Sequence, residues 1–169
     1  MNNYIGDLYV FKDDGLIPNS KLPVVVYKHV TDSANKSDWF EQRFQQNGWT
    51  NTWRDIVLSY DHFHSNTHEA LAVGKGKVTL KIGGRDGLEL RAEEGDVIIL
   101  PSGVGHYAIS TDADYEIVGG YPYGATWDMC TGTEADRSAI LKRIKDTPLP
   151  LEDPIYGIDG ELLKHWSQV

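Results

Sequence analysis

Cysteine is nearly missing from this chain. Cys130 is the only one, so no internal disulfide framework can staple the fold. With no second feature pointing to a nucleophile, that thiol reads as a packed side chain. Long apolar runs are missing too: none approaches the roughly 20 residues that span a bilayer. The start, Met1-Asn2-Asn3-Tyr4, lacks the charged-then-apolar order of a signal peptide. A cytoplasmic protein with no membrane partner is the expectation. Basic charge is in short supply, with 16 Lys and Arg against 25 Asp and Glu and a net charge of -9. That balance excludes a nucleic-acid partner, which needs clustered cations for phosphates. Repeats and low-complexity tracts are absent as well. What remains is ordinary for a globular protein: 169 residues, 40% hydrophobic and 24% charged. One domain, 1–169, can bury a core of its own at this length.

Three stretches divide it. The arm 1–54 carries a short mixed segment from Tyr4 to Phe11 that can cover part of the core. A β-branched strand follows at Leu22-Pro23-Val24-Val25-Val26-Tyr27. Pro23 places that strand at its start or on an edge, and an edge of Val and Tyr hints at a homodimer. Trp39, Phe40, Arg43 and Phe44 fall at helical spacing, with Ser37 or Asp38 as N-cap and Asn47-Gly48 as the stop. Trp49 and Trp53 then sit in a polar loop that closes one end of the core.

From Asp55 to Gly120 the period is two. Ile56, Leu58, Tyr60, His62 and His64 share one strand face, with Val57 and Phe63 on the other. Glu69, Leu71 and Val73 share a face of the next strand. Val78, Leu80 and Ile82 alternate with polar residues, and 83–87 is a Gly-rich hairpin connection. Val97 to Leu100 is a buried strand. His106, Ala108 and Ser110 share a face, and Tyr115 to Gly119 is a further strand. Short strands punctuated by glycine indicate an all-β barrel or sandwich. The extension 121–169 is less regular. Thr133 and Glu134 open a helix with Ile140, Leu141 and Ile144 as its stripe, while Leu162, Leu163 and Trp166 dock the terminus.

Four of the six histidines lie between positions 62 and 106. Three of them, with Glu69, offer the imidazole and carboxylate ligands that first-row transition metals take. His62 and His64 project from one strand face, Glu69 returns on the next strand, and His106 arrives from across the core. Alternation turns His68 away from Glu69, which gives it a supporting or interface role. Tyr60, one step below His62, lines the pocket. Arg54 either binds a substrate carboxylate or makes a surface ion pair.

This stretch resembles the two motifs of the cupin superfamily. His62, His64, Glu69 and Gly76 match the first, and Gly95, Pro101, Gly103 and His106 match the second without a gap. Ser110 stands where an Asn is common, and Ile56 replaces the first motif's leading Gly. The stretch Trp53-Arg54, the run from His62 to Glu69 and the tail Asp153-Pro154-Ile155-Tyr156-Gly157 are similar to the YjlB-like bacterial cupins. The resemblance implies an RmlC-like jelly-roll β-barrel with a helix in its N-terminal region and a short C-terminal helical segment. It implies one divalent transition metal on His62, His64, Glu69 and His106, iron first, with Mn, Ni, Zn and Cu as alternatives. It implies an enzyme acting on a small polar metabolite by oxygenase-type chemistry, with isomerase or lyase chemistry next. Glu69 would then double as a proton-transfer group. The alternatives are a ligand-binding or sensing barrel without turnover, a structural oligomer, and a degenerate barrel without metal.

Overall fold

The computed structural model of the protein describes residues 6–111 and 114–167, with the backbone alone at 110 and 111. Tyr4 and the side chain of Ser110 therefore lie outside the described residues. In chain order the elements are β1 (Asp7–Tyr9), β2 (Val24–Tyr27), α1 (Lys36–Gln46), β3 (Trp49–Asp55), β4 (Glu69–Lys75) and β5 (Lys77–Ile82). Then come β6 (Leu88–Glu93), β7 (Val97–Leu100), β8 (His106–Thr111), β9 (Glu116–Pro122), α2 (Arg137–Asp146) and α3 (Glu161–His165). The strands form a six-stranded sheet, ordered β1-β2-β7-β4-β9-β3, and a three-stranded sheet, ordered β6-β5-β8. The fold is thus mostly β with few helices, as the period-two pattern requires. Among the described residues its wall is two sheets, with no pairing that closes them into one barrel.

The alternation of apolar residues builds the layer between the sheets. Leu71, Val73, Ile98 and Ile117 of the larger sheet meet Val78, Leu80, Ile82 and Ala108 of the smaller one, all buried. The larger sheet is buried on its outer face as well, where Val25, Ala70, Val97 and Ile99 carry α1 and the C-terminal segment. This second face explains why β2 and β7 read as continuous apolar runs. Helix α1 sets Phe40 and Phe44 on that face, and Asn35 caps it by accepting from the Asp38 N–H. Ser37 and Asp38 lie inside the helix, so the cap comes earlier than their sequence suggests.

The turn from β5 to β6 depends on a glycine for lack of space. A Cβ at Gly87 would lie 1.8 Å from the Ile82 carbonyl oxygen. Gly87→Ala must push the hairpin open, and a thermal melt is expected to show a loss of about 2 kcal/mol or more.

Four expectations are corrected. β2 starts directly after Pro23, the first of the two placements expected from that proline, and it is not an edge, because β1 pairs along one side and β7 along the other. The hint of dimerisation from that edge therefore loses its basis. Trp49 and Trp53 lie on β3, not in a loop. A bulge between Thr50 and Trp53 shifts the register against β9. The extra residue reverses the parity, so Trp49 packs in the outer core while Trp53 reaches the inner one. The chain leaves the sheet after Asp55, so the expected strand does not run on to His64. Ile56, Leu58 and Tyr60 are exposed, whereas Val57 is buried, its N–H donating to Tyr115 Oη at 3.0 Å. Finally, Glu134 accepts from the Thr131 and Gly132 N–H groups in a turn, and the helix starts later, capped by Asp136. Of the expected stripe, Ile140 is buried and Leu141 is exposed.

Candidate metal centre

Both sheets contribute to the site. Glu69 opens β4 in the larger sheet and His106 opens β8 in the smaller one. His62 reaches them from outside any strand, held to His106 by reciprocal backbone hydrogen bonds of 2.9 and 3.4 Å. Phe63 makes the same kind of bridge with Cys130, which buries its ring against Ile17 and Ile140. The two bridges hold 62 and 63 extended, so His64 emerges on the same side as His62.

His62, His64 and His106 are all buried, with one ring nitrogen from each lying within 4.8 Å of the others. Their Nδ1 atoms all face backbone carbonyls. His62 Nδ1 is 3.0 Å from Tyr60 O, His64 Nδ1 is 2.5 Å from Asp128 O, and His106 Nδ1 is 3.0 Å from Val104 O. A carbonyl can only accept, so each Nδ1 carries a proton, and Nε2 is the ring atom left to bind a metal once any proton on it is displaced. That donor set fits a divalent transition metal, since imidazoles oriented by an outer acceptor are the usual way of holding one.

Glu69 Oε2 lies 3.1 Å from His64 Nε2 and 3.3 Å from His106 Nε2. Its other oxygen accepts from Tyr121 Oη at 3.0 Å, and Tyr121 in turn accepts from Trp53 Nε1–H at 2.9 Å. Burial alone would raise the Glu69 carboxyl, but His64 and His106 hold it far below the usual carboxylate range. Burial pushes His62 down to about 3, so its ring is neutral at ordinary pH. Burial acts the same way on His64, yet Glu69 outweighs it and the direction there is upward. Burial, then the Glu69 charge, pushes the Tyr121 hydroxyl far up, which keeps it a donor.

The remaining predicted residues are placed elsewhere. His68 is buried with its ring 4.6 Å from that of Trp166, and its Nδ1 accepts from the Ser102 N–H. Burial pushes it down to about 4. Tyr60 is half exposed; its carbonyl accepts from His62 Nδ1–H, and its ring lies 5.7 Å from that of His62. Arg54 stands at the rim of the pocket, with Nε and Nη2 bonded to Glu41 and Nη2 also to Asp38.

Sequence reasoning missed Tyr121, Trp127 and Asp128. Asp128 also accepts from the Ser65 N–H at 2.7 Å, which ties the loop after β9 to the His64 segment. The Trp127 ring lies 5.6 Å from that of His64. The aromatic and turn-forming run from Tyr121 to Asp128 was the available signal, but no periodicity linked it to the histidines. Tyr121→Phe removes the donor on Glu69 Oε1. It is expected to weaken divalent-metal binding by roughly 10–100-fold in a chelator-competition titration, the usual cost of losing an outer partner.

Residues 58–117 match the Cupin domain family. The chain is 38% identical over 159 residues to the uncharacterized protein YjlB of Bacillus subtilis, covering 94% of each. The chain belongs to the cupin family. Among solved structures this cupin is similar to an acireductone dioxygenase from Bacillus anthracis with a cadmium ion in its active centre. The TM-score is 0.42 at 15% identity, over 62% of this chain and 80% of that one. It is also similar to a TDP-quinovose 3,4-ketoisomerase from Campylobacter jejuni. There the TM-score is 0.43 at 8% identity, over 55% and 75% of the two chains. No described helix of this cupin is long and apolar enough to cross a membrane.

Proposed function

We infer that this cupin is a metal-dependent enzyme acting on a small molecule, with one divalent transition metal held by His62, His64, His106 and Glu69. The observation that carries this is the set of three buried imidazoles, each with Nδ1 spent on a carbonyl and Nε2 left to the centre. An ion bound there supplies Lewis-acid polarisation and, for iron(II), redox chemistry with dioxygen. Oxygenase-type chemistry with iron is the first assignment, and isomerase or lyase chemistry the next. The protein's part is to orient the rings, keep the floor dry and handle one proton. Glu69 Oε2, which faces the imidazoles while Tyr121 occupies Oε1, would be the ligand atom, and it would take that proton only on leaving the metal. A pocket of about 300 Å³ opens above these groups, lined by His62, His64, Glu69, His106 and Tyr121 at its floor. That is at the small end of ligand sites.

The test is elemental analysis of the purified protein, followed by oxygen uptake of the iron(II)-loaded form over a panel of metabolites. Near one transition metal per chain, with uptake on some member of the panel, is the expected result. Metal-free protein whose melting is indifferent to chelator would sink the reading. Metal without turnover, under every metal tried, would favour a binding module.

A further inference from the structure

We propose that the pocket takes a ligand whose polar end faces the histidine floor and whose remaining body is apolar and carries no second negative charge. The inference rests on the metal reading for the ligand's head and on the pocket walls for its body. Above the floor the walls are Trp53, Val57, Leu71, Trp127 and Met129. None of these side chains carries a positive charge, and the only donors among them are the two indole N–H groups. The single cation among the lining residues is Arg54. Its charge is over-matched: Asp38 lies 2.7 Å and Glu41 2.5 Å from Nη2, so the local balance is one positive charge against two negative. Both acids come from α1, whose packing on the larger sheet holds them there.

Of the other polar groups near the walls, Arg54 Nη1 and the Trp127 indole N–H are the donors left without a partner among the described residues, and the rest are spent. Asp55, also on the lining, adds a further negative charge at the rim, with Oδ1 accepting from the Ile56 N–H. Trp53 Nε1–H is given to Tyr121, and the Tyr121 hydroxyl proton is given to Glu69. A carboxylate or phosphate at the far end of a ligand would lose its water and find mostly apolar surface, a guanidinium already outnumbered by acids and one neutral indole N–H in exchange. A flat apolar body instead finds the indole of Trp127 and the thioether of Met129, both partly open at the mouth.

The experiment compares two probes with the same head, 4-methylbenzoate and terephthalate, titrated calorimetrically into zinc-loaded protein whose metal content has been measured. The methyl compound is expected to bind at least tenfold more tightly. Trp127→Ala should weaken it about tenfold, and Arg54→Ala should leave the preference intact. The double variant Asp38→Asn, Glu41→Gln should release Arg54 and raise terephthalate affinity. The pair 4-methylphenol and 4-hydroxybenzoate is run in parallel on metal-free protein, where the methyl compound should again be preferred. Preference in the metal-free form alone, with no zinc taken up, would overturn the metal reading and leave this one standing. Equal or tighter terephthalate binding by zinc-loaded protein, lost in Arg54→Ala, would overturn this one alone. Failure of every probe to bind would also overturn it.

Discussion

His106→Ala is expected to abolish metal binding, measured as bound metal per chain after dialysis against a weak chelator. The loss should exceed the roughly 10–100-fold that follows removal of an outer partner, because a donor atom itself is gone. His106 is one of three Nε2 donors and also faces Glu69 Oε2 at 3.3 Å, so its removal loosens two members of the set. His68→Ala is the control. It is one residue from Glu69, but its ring packs at a tilt against Trp166 and its Nδ1 is taken by the Ser102 N–H. That variant should keep full metal stoichiometry while melting at a lower temperature. Equal metal loss in both variants would mean that His106 acts through stability and not through ligation. The pH dependence follows from His64. Glu69 favours its protonated form, so a metal must displace a proton there. Apparent affinity should therefore fall on acidification, beginning above the pH at which a free imidazole titrates. His62, already neutral down to about 3, adds nothing to that slope.

The ligand residues were legible because their spacing is short and their chemistry narrow. His62, His64 and Glu69 lie within eight positions of one another, and the Gly95-to-His106 spacing has no insertion. The geometry behind them was not legible in the same way. Period-two reasoning carried a strand through 55–64, but the sheet ends at Asp55 and two isolated bridges take over. Both histidines still face the centre, for a reason other than the one the alternation supplied. The bulge in β3 is a similar case, since one extra residue sends Trp53 to the inner core and Trp49 to the outer. Tyr121 and Asp128 were invisible as site residues for another reason. Their contributions are a hydroxyl on Glu69 and a backbone carbonyl on His64, made from positions 52 and 64 residues away. A carbonyl has no residue identity to read. The same holds for the Tyr60 carbonyl, which orients His62 whatever side chain the residue carries.

Asp153→Ala is expected to cost about 3–5 kcal/mol of stability, because several buried donors lose their common acceptor at once. The carboxyl is fully buried and accepts from four donors. Tyr27 Oη lies 2.5 Å from Oδ2, and the Ile155 and Tyr156 N–H groups lie 2.8 and 3.1 Å from Oδ1. The Leu162 N–H reaches Oδ2 at 3.4 Å. Burial and the facing carboxylate push the Tyr27 hydroxyl far up, so it stays a donor at any accessible pH. Removing the acceptor strands these groups without water, at about 1–3 kcal/mol for each one left unpaired. The segment they organise carries Ile155, Leu162 and Trp166 onto the outer face of the larger sheet, so loosening it uncovers that core. A domain with a total stability of about 5–15 kcal/mol loses a large share in one substitution. Urea unfolding of three variants separates the causes. Tyr27→Phe, which removes one bond and leaves the acid in place, should lose about 1 kcal/mol. Asp153→Asn keeps an acceptor oxygen and should fall between the two. Burial raises the Asp153 carboxyl above its ordinary range. The folded state therefore holds that proton more firmly than the unfolded chain does, so acidification adds stability to the wild type that Asp153→Asn cannot gain, and the gap between them should widen as pH falls. A gap that stays constant down to acid pH would show that the carboxyl titrates alike in the folded and unfolded chain, and that shape rather than charge sets the cost.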